Sequence, residues 1–191
     1  MDHADHVALI RGGVEGPGGT WADIGAGSGA FTLALADLLG PEARILAIDR
    51  DTGALRENAR LVAARFPEVR FEAVVADFTG PLDLPTLDGL VAANSLHYVR
   101  RERQPEVIAR LAEHLRPGGA FLVVEYDADR GNPWIPHPWS VERWPALAEA
   151  AGLVDPRSLH RVPSRMLGGI YAASAHRASA STSASTSEGS T

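Results

Sequence analysis

The residues best suited to chemistry lie in the segment from Ala22 to Phe31, ADIGAGSGAF. Gly25, Gly27 and Gly29 follow one apolar run and precede another, which predicts a tight turn between a strand and a helix. A backbone without side chains lets a ligand approach closely, and the free N–H groups at the start of a helix can bind it. The spacing is G-x-G-x-G and differs from the G-x-G-x-x-G of dinucleotide-binding proteins.

Three aspartates come at positions where a parallel sheet would bring strand ends together. Asp23 precedes the glycines, Asp49 ends the run ILAID 20 residues after Gly29, and Asp77 ends VVAD beside Phe78. An acid in the position of Asp49 can accept both hydroxyls of a ribose, and Asp23 would complement a positively charged ligand. Ligands of open α/β sheets bind at the carboxyl ends of the strands, so the three acids should meet at one crevice. They indicate a site for a nucleoside with a cationic group.

His97, in the segment ANSLHYV, is the candidate general base. It comes just after the fourth predicted strand, and an imidazole titrates near neutral pH. The alternative is a histidine that only packs or orients a loop. His137 is a second candidate, for closing over a substrate, with the same alternative. The remaining histidines show no metal-ligand spacing, so no metal site is predicted.

Apolar runs of strand length alternate with helical patterns, which predicts an α/β fold with a doubly wound, mostly parallel sheet. The predicted strands are Thr20–Ile24, Arg44–Ile48, Val69–Ala76, Leu87–Ala93, Ala120–Glu125, Ser158–Val162 and Gly169–Ala175. The last two are joined by a short turn and should be antiparallel. Two of the predicted helices are Phe31–Leu39 and Val141–Ala151. A further helix has an apolar stripe from Leu55 to Phe66. The fourth is expected to end at the segment LRPGG, and its apolar face consists of Val107, Ile108, Leu111 and Leu115.

Three segments are predicted to lack regular structure. Asp77–Thr86, with a glycine and two prolines, should be a connection without a full helix. Asp127–Ser140 carries three prolines and two tryptophans, and we expect it to cover a substrate pocket or to pack as ordinary core. Residues 178–191 are rich in Ser, Thr and Ala and are expected to be disordered, which leaves residues 1–177 as one domain.

Composition excludes several function classes. The chain has 191 residues and a net charge of −6, and all 18 of its basic residues are arginines. The absence of cysteine removes disulfides and thiolate chemistry, and the absence of lysine removes Schiff-base chemistry. An acidic chain predicts no nucleic-acid partner, and Arg100, Arg101 and Arg103 are interpreted as a solvated face. No apolar run is long enough to span a membrane and no signal peptide is evident, so we expect a cytoplasmic protein.

The motifs ADIGAGSG, LAIDRD, VVADF, LDGLVAANSLHYV and LRPGGAFLVVEYD come in one order and spacing. In the order and spacing of these motifs the sequence resembles the class I S-adenosylmethionine-dependent methyltransferases, and the resemblance extends from about Thr20 to Ala175. The resemblance implies a Rossmann-like sheet of seven strands in the order 3-2-1-4-5-7-6, with the seventh strand antiparallel. In this sequence the connection between the third and fourth strands is shorter than is usual in that family. ANSLHY replaces the Asn/Asp-Pro-Pro-Tyr/Phe signature of the enzymes that methylate the exocyclic amines of bases or glutamine amides.

The resemblance also implies roles for individual residues toward S-adenosylmethionine as cofactor. Gly25, Ala26 and Gly27 would contact its methionine moiety, with Gly29 completing the turn and Asp23 near the ammonium. Around the rest of the cofactor it implies that Asp49 and Arg50 flank the ribose, that Asp77 and the Phe78 N–H meet the adenine, and that Asn94 and Ser95 line the sulfonium side.

The sequence thus predicts a methyltransferase for a small-molecule acceptor, with the methylated atom open. His97 would act only where the acceptor must lose a proton. The N-terminal segment and the loop Asp127–Ser140 would cover the acceptor, because no lid domain is inserted. Two alternatives stay open: a protein that binds S-adenosylmethionine without catalysis, and a nicotinamide-dependent oxidoreductase, which Asp23 and the glycine spacing disfavour.

Overall fold

A single mixed sheet organises the molecule, whose computed structural model describes residues 1–164 and 166–179. The strands are β1 (Gly19–Ile24), β2 (Ala43–Asp49), β3 (Arg70–Val75), β4 (Leu87–Ala93), β5 (Leu115–Tyr126), β6 (Leu153–Pro163) and β7 (Gly169–Arg177). Their order is β3-β2-β1-β4-β5-β7-β6. Strands β1 to β5 pair in parallel, and β7 runs antiparallel to both β5 and β6. The predicted fold class, strand order and antiparallel last strand are confirmed.

Helices cover both faces of the sheet because residues along the inner strands alternate between two apolar clusters. The described residues form α1 (His3–Ile10), α2 (Ala30–Leu39), α3 (Thr52–Arg65), α4 (Gln104–Ala112) and α5 (Trp144–Ala150). Ile45, Val91 and Leu122 face α1 and α2, whereas their neighbours in sequence face α4 and α5. Leu55 of α3 packs beside Ala47, on the side of α2.

Helix α1 was not among the predicted elements. Asp2 caps it by accepting from the Asp5 N–H, and the Asp5 carboxylate accepts in return from the Asp2 N–H. Leu9 and Ile10 are fully buried against α2 and the sheet. The N-terminal segment therefore completes one layer of the fold.

The start of β5 corrects one prediction. Leu115 was expected on the apolar face of a helix that LRPGG ends, but α4 ends at Ala112 and Leu115 pairs with Leu87 of β4. The register then shifts, so that Gly89 pairs with Ala120, and Gly118 adopts a φ of 74° within the shifted stretch. The glycine pattern marks an irregularity within a strand and not the end of a helix.

The two predicted irregular connections are confirmed. Asp77–Thr86 contains no helix, and its Phe78, Leu82 and Leu84 pack partly buried against the α4 and α5 face of the sheet. Asp127–Ser140 likewise contains neither helix nor extended strand. Within the described residues, no helix is long and apolar enough to cross a membrane. Of the predicted disordered tail, residues 180–191 lie outside the described part of the chain.

Candidate active site

A cavity of about 500 Å³ opens at the carboxyl ends of β1, β2, β3 and β4. It lies where the strand order reverses between β1 and β4, the usual place for a ligand in an open α/β sheet. Each of the four strands is followed by residues that line the cavity. These are Gly25, Asp49, Arg50, Ala76, Asp77, Phe78, Thr79, Asn94, Ser95, Tyr98, Val99, Arg100 and Arg103.

The glycine turn after β1 brings bare backbone to the cavity wall. The Gly25 N–H donates to the Ile48 carbonyl oxygen over 2.8 Å, which ties the turn to the end of β2. Gly25 has a φ of 72°, and a Cβ there would lie 2.5 Å from the Ser95 Cβ. No side chain fits between the turn and β4, so position 25 requires glycine. Of the four predicted turn residues, Gly25 lines the cavity, whereas Ala26, Gly27 and Gly29 are not among its lining residues.

Asp49 at the end of β2 is held by backbone donors at the cavity wall. Its Oδ2 accepts from the Gly27 N–H over 2.8 Å, and its Oδ1 accepts from the Asp51 N–H over 2.9 Å. These bonds fix the carboxylate between the glycine turn and the start of α3. Both oxygens keep lone pairs for a further donor, because a carboxylate oxygen can accept more than one hydrogen bond.

Asp77 follows β3 and stands as an ionised acceptor at the cavity edge. Its Oδ1 accepts from the Thr79 N–H over 2.8 Å and from the Thr79 hydroxyl over 2.7 Å. These hydrogen bonds lower the pKa of Asp77, and the positive charges of Arg50 and Arg103 lower it further. A carboxylate kept ionised in this way can accept from an amino group.

Asn94 and Ser95 contribute unpaired polar atoms after β4. Asn94 adopts the left-handed conformation with a φ of 51°, and its N–H donates to the Val124 carbonyl oxygen over 2.8 Å. The Asn94 Oδ1 and the Ser95 Oγ are buried and have no hydrogen-bond partner among the described residues. Buried polar atoms are normally paired, so two orphans at one cavity wall fit a site whose ligand supplies the partners.

Asp23 differs from Asp49 and Asp77 in its surroundings. This side chain is buried beneath the glycine turn and does not line the cavity. Its Oδ2 accepts from the Thr32 hydroxyl over 2.6 Å, and Thr32 accepts in turn from the Asn58 amide over 2.8 Å. Burial raises the pKa of Asp23 to about 7, outweighing the Thr32 hydrogen bonds that lower it, while the charge of Asp49 raises it slightly. Asp23 therefore supports the turn from behind.

His97 lies elsewhere than expected. Only 2% of it is exposed, and it does not line the cavity. Its backbone N–H donates to Glu125 Oε1 over 3.1 Å, and its Nδ1 lies 2.8 Å from Glu125 Oε2. The rings of Tyr98 and Tyr126 pack against it, with centroids 4.4 and 5.9 Å away. His97 is thus a buried, carboxylate-paired residue behind Tyr98, which itself lines the cavity.

The loop Asp127–Ser140 and the N-terminal segment do not cover this cavity. The lining set includes no residue from either segment. Trp139 and the neighbouring Trp144 are core residues, whereas Trp134 is 70% exposed. The His137 N–H donates to the His97 carbonyl oxygen over 3.0 Å, so the loop supports the segment after β4 from behind.

Sequence reasoning missed the cavity wall made by Tyr98, Val99, Arg100 and Arg103. Arg100 and Arg103 are exposed, as expected for a solvated face, and they also line the cavity, which was not predicted. The signal that could have found them is their place after β4, at the same sheet edge as the aspartates. Among the described residues, no group of three or more His, Asp or Glu side chains is placed to hold a metal ion.

The comparisons with known proteins agree with this geometry. The profile of the family described as "Methyltransferase domain" matches residues 22–119, just over half of the chain. The matched region contains the glycine turn and the strand ends that line the cavity. The chain therefore belongs to the class I S-adenosylmethionine-dependent methyltransferase family.

Individual relatives match over shorter stretches. The trans-aconitate 2-methyltransferase of Deinococcus radiodurans is 34% identical over 120 residues, which are 62% of this chain and 41% of the relative. The ribosomal RNA small subunit methyltransferase H of Paracidovorax citrulli is 37% identical over 78 residues, which are 41% of this chain and 24% of the relative. The chain thus spans less than half of either curated relative.

A solved structure shares the whole fold. It is the 1,6-didemethyltoxoflavin-N1-methyltransferase of Burkholderia thailandensis, determined with 1,6-didemethyltoxoflavin and S-adenosylhomocysteine bound. It superposes with a TM-score of 0.72 at 21% identity, over 92% of this chain and 78% of that one. At this identity the likeness supports the architecture alone.

Proposed function

We propose that this protein transfers a methyl group from S-adenosylmethionine to a small-molecule acceptor. The observation that carries the proposal is the set of ligand-accepting atoms around one cavity: two fixed carboxylates, Asp49 and Asp77, and the unpaired Asn94 Oδ1 and Ser95 Oγ. This set of acceptor oxygens fits a nucleoside that carries a positive charge. In a chain of this family, S-adenosylmethionine is such a ligand.

In the proposed binding mode, residues at the end of each of the strands β1 to β4 contact one part of the cofactor. Asp49, with Arg50 beside it, accepts the ribose hydroxyls, while Asp77 accepts the adenine amino group next to Phe78. The methionine part runs along Gly25 toward Asn94 and Ser95. Asp23, Ala26, Gly27 and Gly29 act without direct contact by shaping the turn.

The cofactor supplies a methyl group on a positively charged sulfur, which is reactive without further activation. The S–CH₃ bond breaks with its electron pair left on sulfur, and a lone pair of the acceptor oxygen or nitrogen forms the new bond. The protein's part is to align the acceptor with that bond and to exclude water. An acceptor that must lose a proton requires a base, and His97, paired with Glu125, is the proposed base once Tyr98 moves aside.

A small acceptor is favoured over RNA on two grounds. The net charge of −6 opposes phosphate binding over a large surface. The trans-aconitate and toxoflavin methyltransferases are named for small acceptors, and the match to the trans-aconitate enzyme covers more of this chain than the match to the ribosomal RNA enzyme.

Calorimetric titration with S-adenosylmethionine and S-adenosylhomocysteine, and with NADH for comparison, tests the proposal. We expect both sulfur ligands to bind in the micromolar range and NADH not to bind. Asp49→Ala should abolish binding, whereas Asp83→Ala, a matched change of an exposed aspartate outside the cavity lining, should leave the affinity unchanged.

Two outcomes would replace the proposal with its alternatives. Preferential binding of NADH would indicate a nicotinamide-dependent oxidoreductase. Tight binding of both sulfur ligands, with no S-adenosylhomocysteine formed from any member of a broad panel of small acceptors, would indicate a protein that binds S-adenosylmethionine without catalysis.

A further inference from the structure

The residues that line the cavity carry more positive than negative charge. Three arginines and two aspartates line the cavity, so its lining has an excess of one positive charge although the protein as a whole carries −6. The cofactor carries a sulfonium, an ammonium and one carboxylate, so its binding would add a net positive charge to the cavity. A neutral acceptor would leave this excess uncompensated in a partly enclosed space.

The contacts of the three arginines show that the excess positive charge lies mainly in the segment from Arg100 to Arg103. Arg50 and Arg103 lie close enough to Asp77 to lower the pKa of its carboxyl. The Arg103 Nε is also 3.8 Å from Glu106 Oε2, but both side chains are about half exposed and such a pair is weak. Arg100 forms no salt bridge with any residue that the structure describes. Arg100 and Arg103 therefore have capacity for an anionic ligand.

Contacts from behind hold this segment in place. The Arg101 guanidinium points away from the cavity and donates to the Pro138 carbonyl oxygen over 2.8 Å and to the Asp129 carbonyl oxygen. The buried Gln104 amide donates to the carbonyl oxygens of Val99, over 3.1 Å, and His137, over 2.8 Å. Arg101 and Gln104 thus anchor the backbone, while Arg100 and Arg103 line the cavity. A guanidinium on a fixed backbone suits paired hydrogen bonds to a carboxylate or phosphate.

We propose that the methyl acceptor is a small anion, a carboxylate or phosphate compound, whose charged group is bound by Arg100 and Arg103. This rests on the proposed function and adds the chemical class of its acceptor. The exposed ring of Tyr98, which packs on His97 and lines the same cavity as these arginines, would form the adjoining wall of the acceptor site. The acceptor's anionic group is then held at one end of the site while a different atom, or a second carboxylate, receives the methyl group.

The test uses the full chain saturated with S-adenosylhomocysteine and measures acceptor binding by calorimetry. The probes are trans-aconitate and 4-hydroxybenzoate, each beside its neutral methyl ester, with phenyl phosphate to separate phosphate from carboxylate. A parallel screen of small acids and their esters measures S-adenosylhomocysteine formed from S-adenosylmethionine. We expect the anionic member of a pair to bind and react at least tenfold better than the neutral one.

The variants Arg100→Gln and Arg103→Gln connect the preference to these side chains. Each should raise the KM and the Kd of the anionic acceptor about tenfold or more, as expected for loss of a charge-assisted hydrogen bond. The affinity for S-adenosylhomocysteine should change less than about twofold. Arg56→Gln, at an exposed arginine of α3 outside the cavity lining, is the matched control and should change neither value.

The remaining outcomes overturn the inference in distinguishable ways. If neutral esters bind as well as their acids, or if no anionic probe binds or reacts, the acceptor is not an anion. If Arg100→Gln weakens S-adenosylhomocysteine itself tenfold, the arginine binds the cofactor's own carboxylate. If S-adenosylhomocysteine fails to bind the unchanged protein, the proposed function fails first, and this inference fails with it.

Discussion

Two aspartates at equivalent strand ends behave in opposite ways in this molecule. Asp23 at the end of β1 belongs to a buried network with Thr32 and Asn58, and its pKa is raised to about 7. Asp77 after β3 forms, with Thr79, the β3 edge of the cavity, where hydrogen bonds and arginines lower its pKa. Each carboxylate accepts from a nearby threonine, so the partner does not explain the difference. Solvent and positive charge at the β3 edge, and their absence around Asp23, decide it.

The comparison separates support from binding. A carboxyl group that lacks solvent and cations is costly to ionise, which suits a structural contact better than ligand capture. A carboxylate that stays ionised at a cavity edge can accept hydrogen bonds from an incoming ligand. We therefore expect changes in the buried network to alter stability first, and changes at the β3 edge to alter cofactor affinity first.

The largest effect is expected from Gly29→Ala, which pushes a methyl group into the buried network. Gly29 has a φ of 99°, and its Cβ would lie 2.3 Å from the Asn58 Oδ1. Backbone strain and overpacking together should lower the free energy of unfolding by about 2–4 kcal/mol. Gly27→Ala is the matched control, because its Cβ would meet nothing within 4 Å at a φ of 51°. Denaturant unfolding should give a loss of about 1 kcal/mol for the control, and equal losses would contradict the account.

The second prediction exchanges the two threonines for valine. Thr32→Val leaves Asp23 and Asn58 without their shared partner in a buried place, so unfolding should become easier by about 2 kcal/mol. Thr79→Val removes a hydroxyl bond to the exposed Asp77 and should cost about 0.5 kcal/mol. Urea unfolding of both variants measures the difference. A larger loss for Thr79→Val would reverse the comparison.

The sequence predicted the frame of the site better than its interior. Local apolar patterns predicted the seven strands, and the short last connection predicted an antiparallel final pair, whereas the full strand order came from the resemblance to the methyltransferase family. Those patterns cannot show which side chains pack beneath a turn. In the sequence Asp23 is one of three acids at predicted strand ends. Its partner Thr32 is nine residues later and contacts it only once α2 packs back against β1.

The other errors have related physical causes. In the sequence Leu115 continues the apolar spacing of α4, but in the structure it begins β5, because its pairing with Leu87 outweighs the local pattern. Arg100 and Arg103 are surface charges as predicted, and only the fold shows that they lie at the same sheet edge as the aspartates. The spacing of Asp2 and Asp5 is typical of a capping pair at a helix start, although α1 was not predicted from it.

A third prediction compares cofactor affinity in two matched variants. Asp77→Asn replaces an acceptor of the proposed adenine amino group and should weaken S-adenosylhomocysteine roughly tenfold. Asp23→Asn keeps an oxygen that can accept from Thr32 and lies outside the cavity, so its affinity should change less than about twofold. Calorimetry gives both values. A tenfold loss in Asp23→Asn with no loss in Asp77→Asn would assign the binding role to the buried residue.

A fourth prediction concerns the pH dependence that Asp23 adds to stability. Its folded pKa of about 7 lies above the ordinary value of 3.8, so between these values the folded protein binds more protons than the unfolded chain. Stability from this group therefore falls as the pH rises from about 4 to 7, and the penalty is complete above that range. Asp77, with a lowered pKa, gives the opposite sign: its contribution is present above its unfolded pKa and is lost as the pH falls through the folded value.

Asp23→Asn should remove that dependence. Compared with the unchanged protein, the variant should gain stability progressively from pH 5 to pH 8, as measured by urea unfolding at several pH values. Asp83→Asn, at an exposed aspartate of the connection between β3 and β4, is a control that should show no such trend. A difference between Asp23→Asn and the unchanged protein that does not vary with pH would mean that Asp23 is ionised throughout.

A crystal structure of the protein with S-adenosylhomocysteine tests the central claim most directly. The account predicts adenine beside Asp77 and Phe78, ribose hydroxyls within hydrogen-bond distance of Asp49, and the amino-acid part along Gly25 toward Asn94 and Ser95. The buried network of Asp23, Thr32 and Asn58 should keep its contacts. Density for the ligand outside this cavity, or an adenine that does not contact the β3 edge, would contradict it.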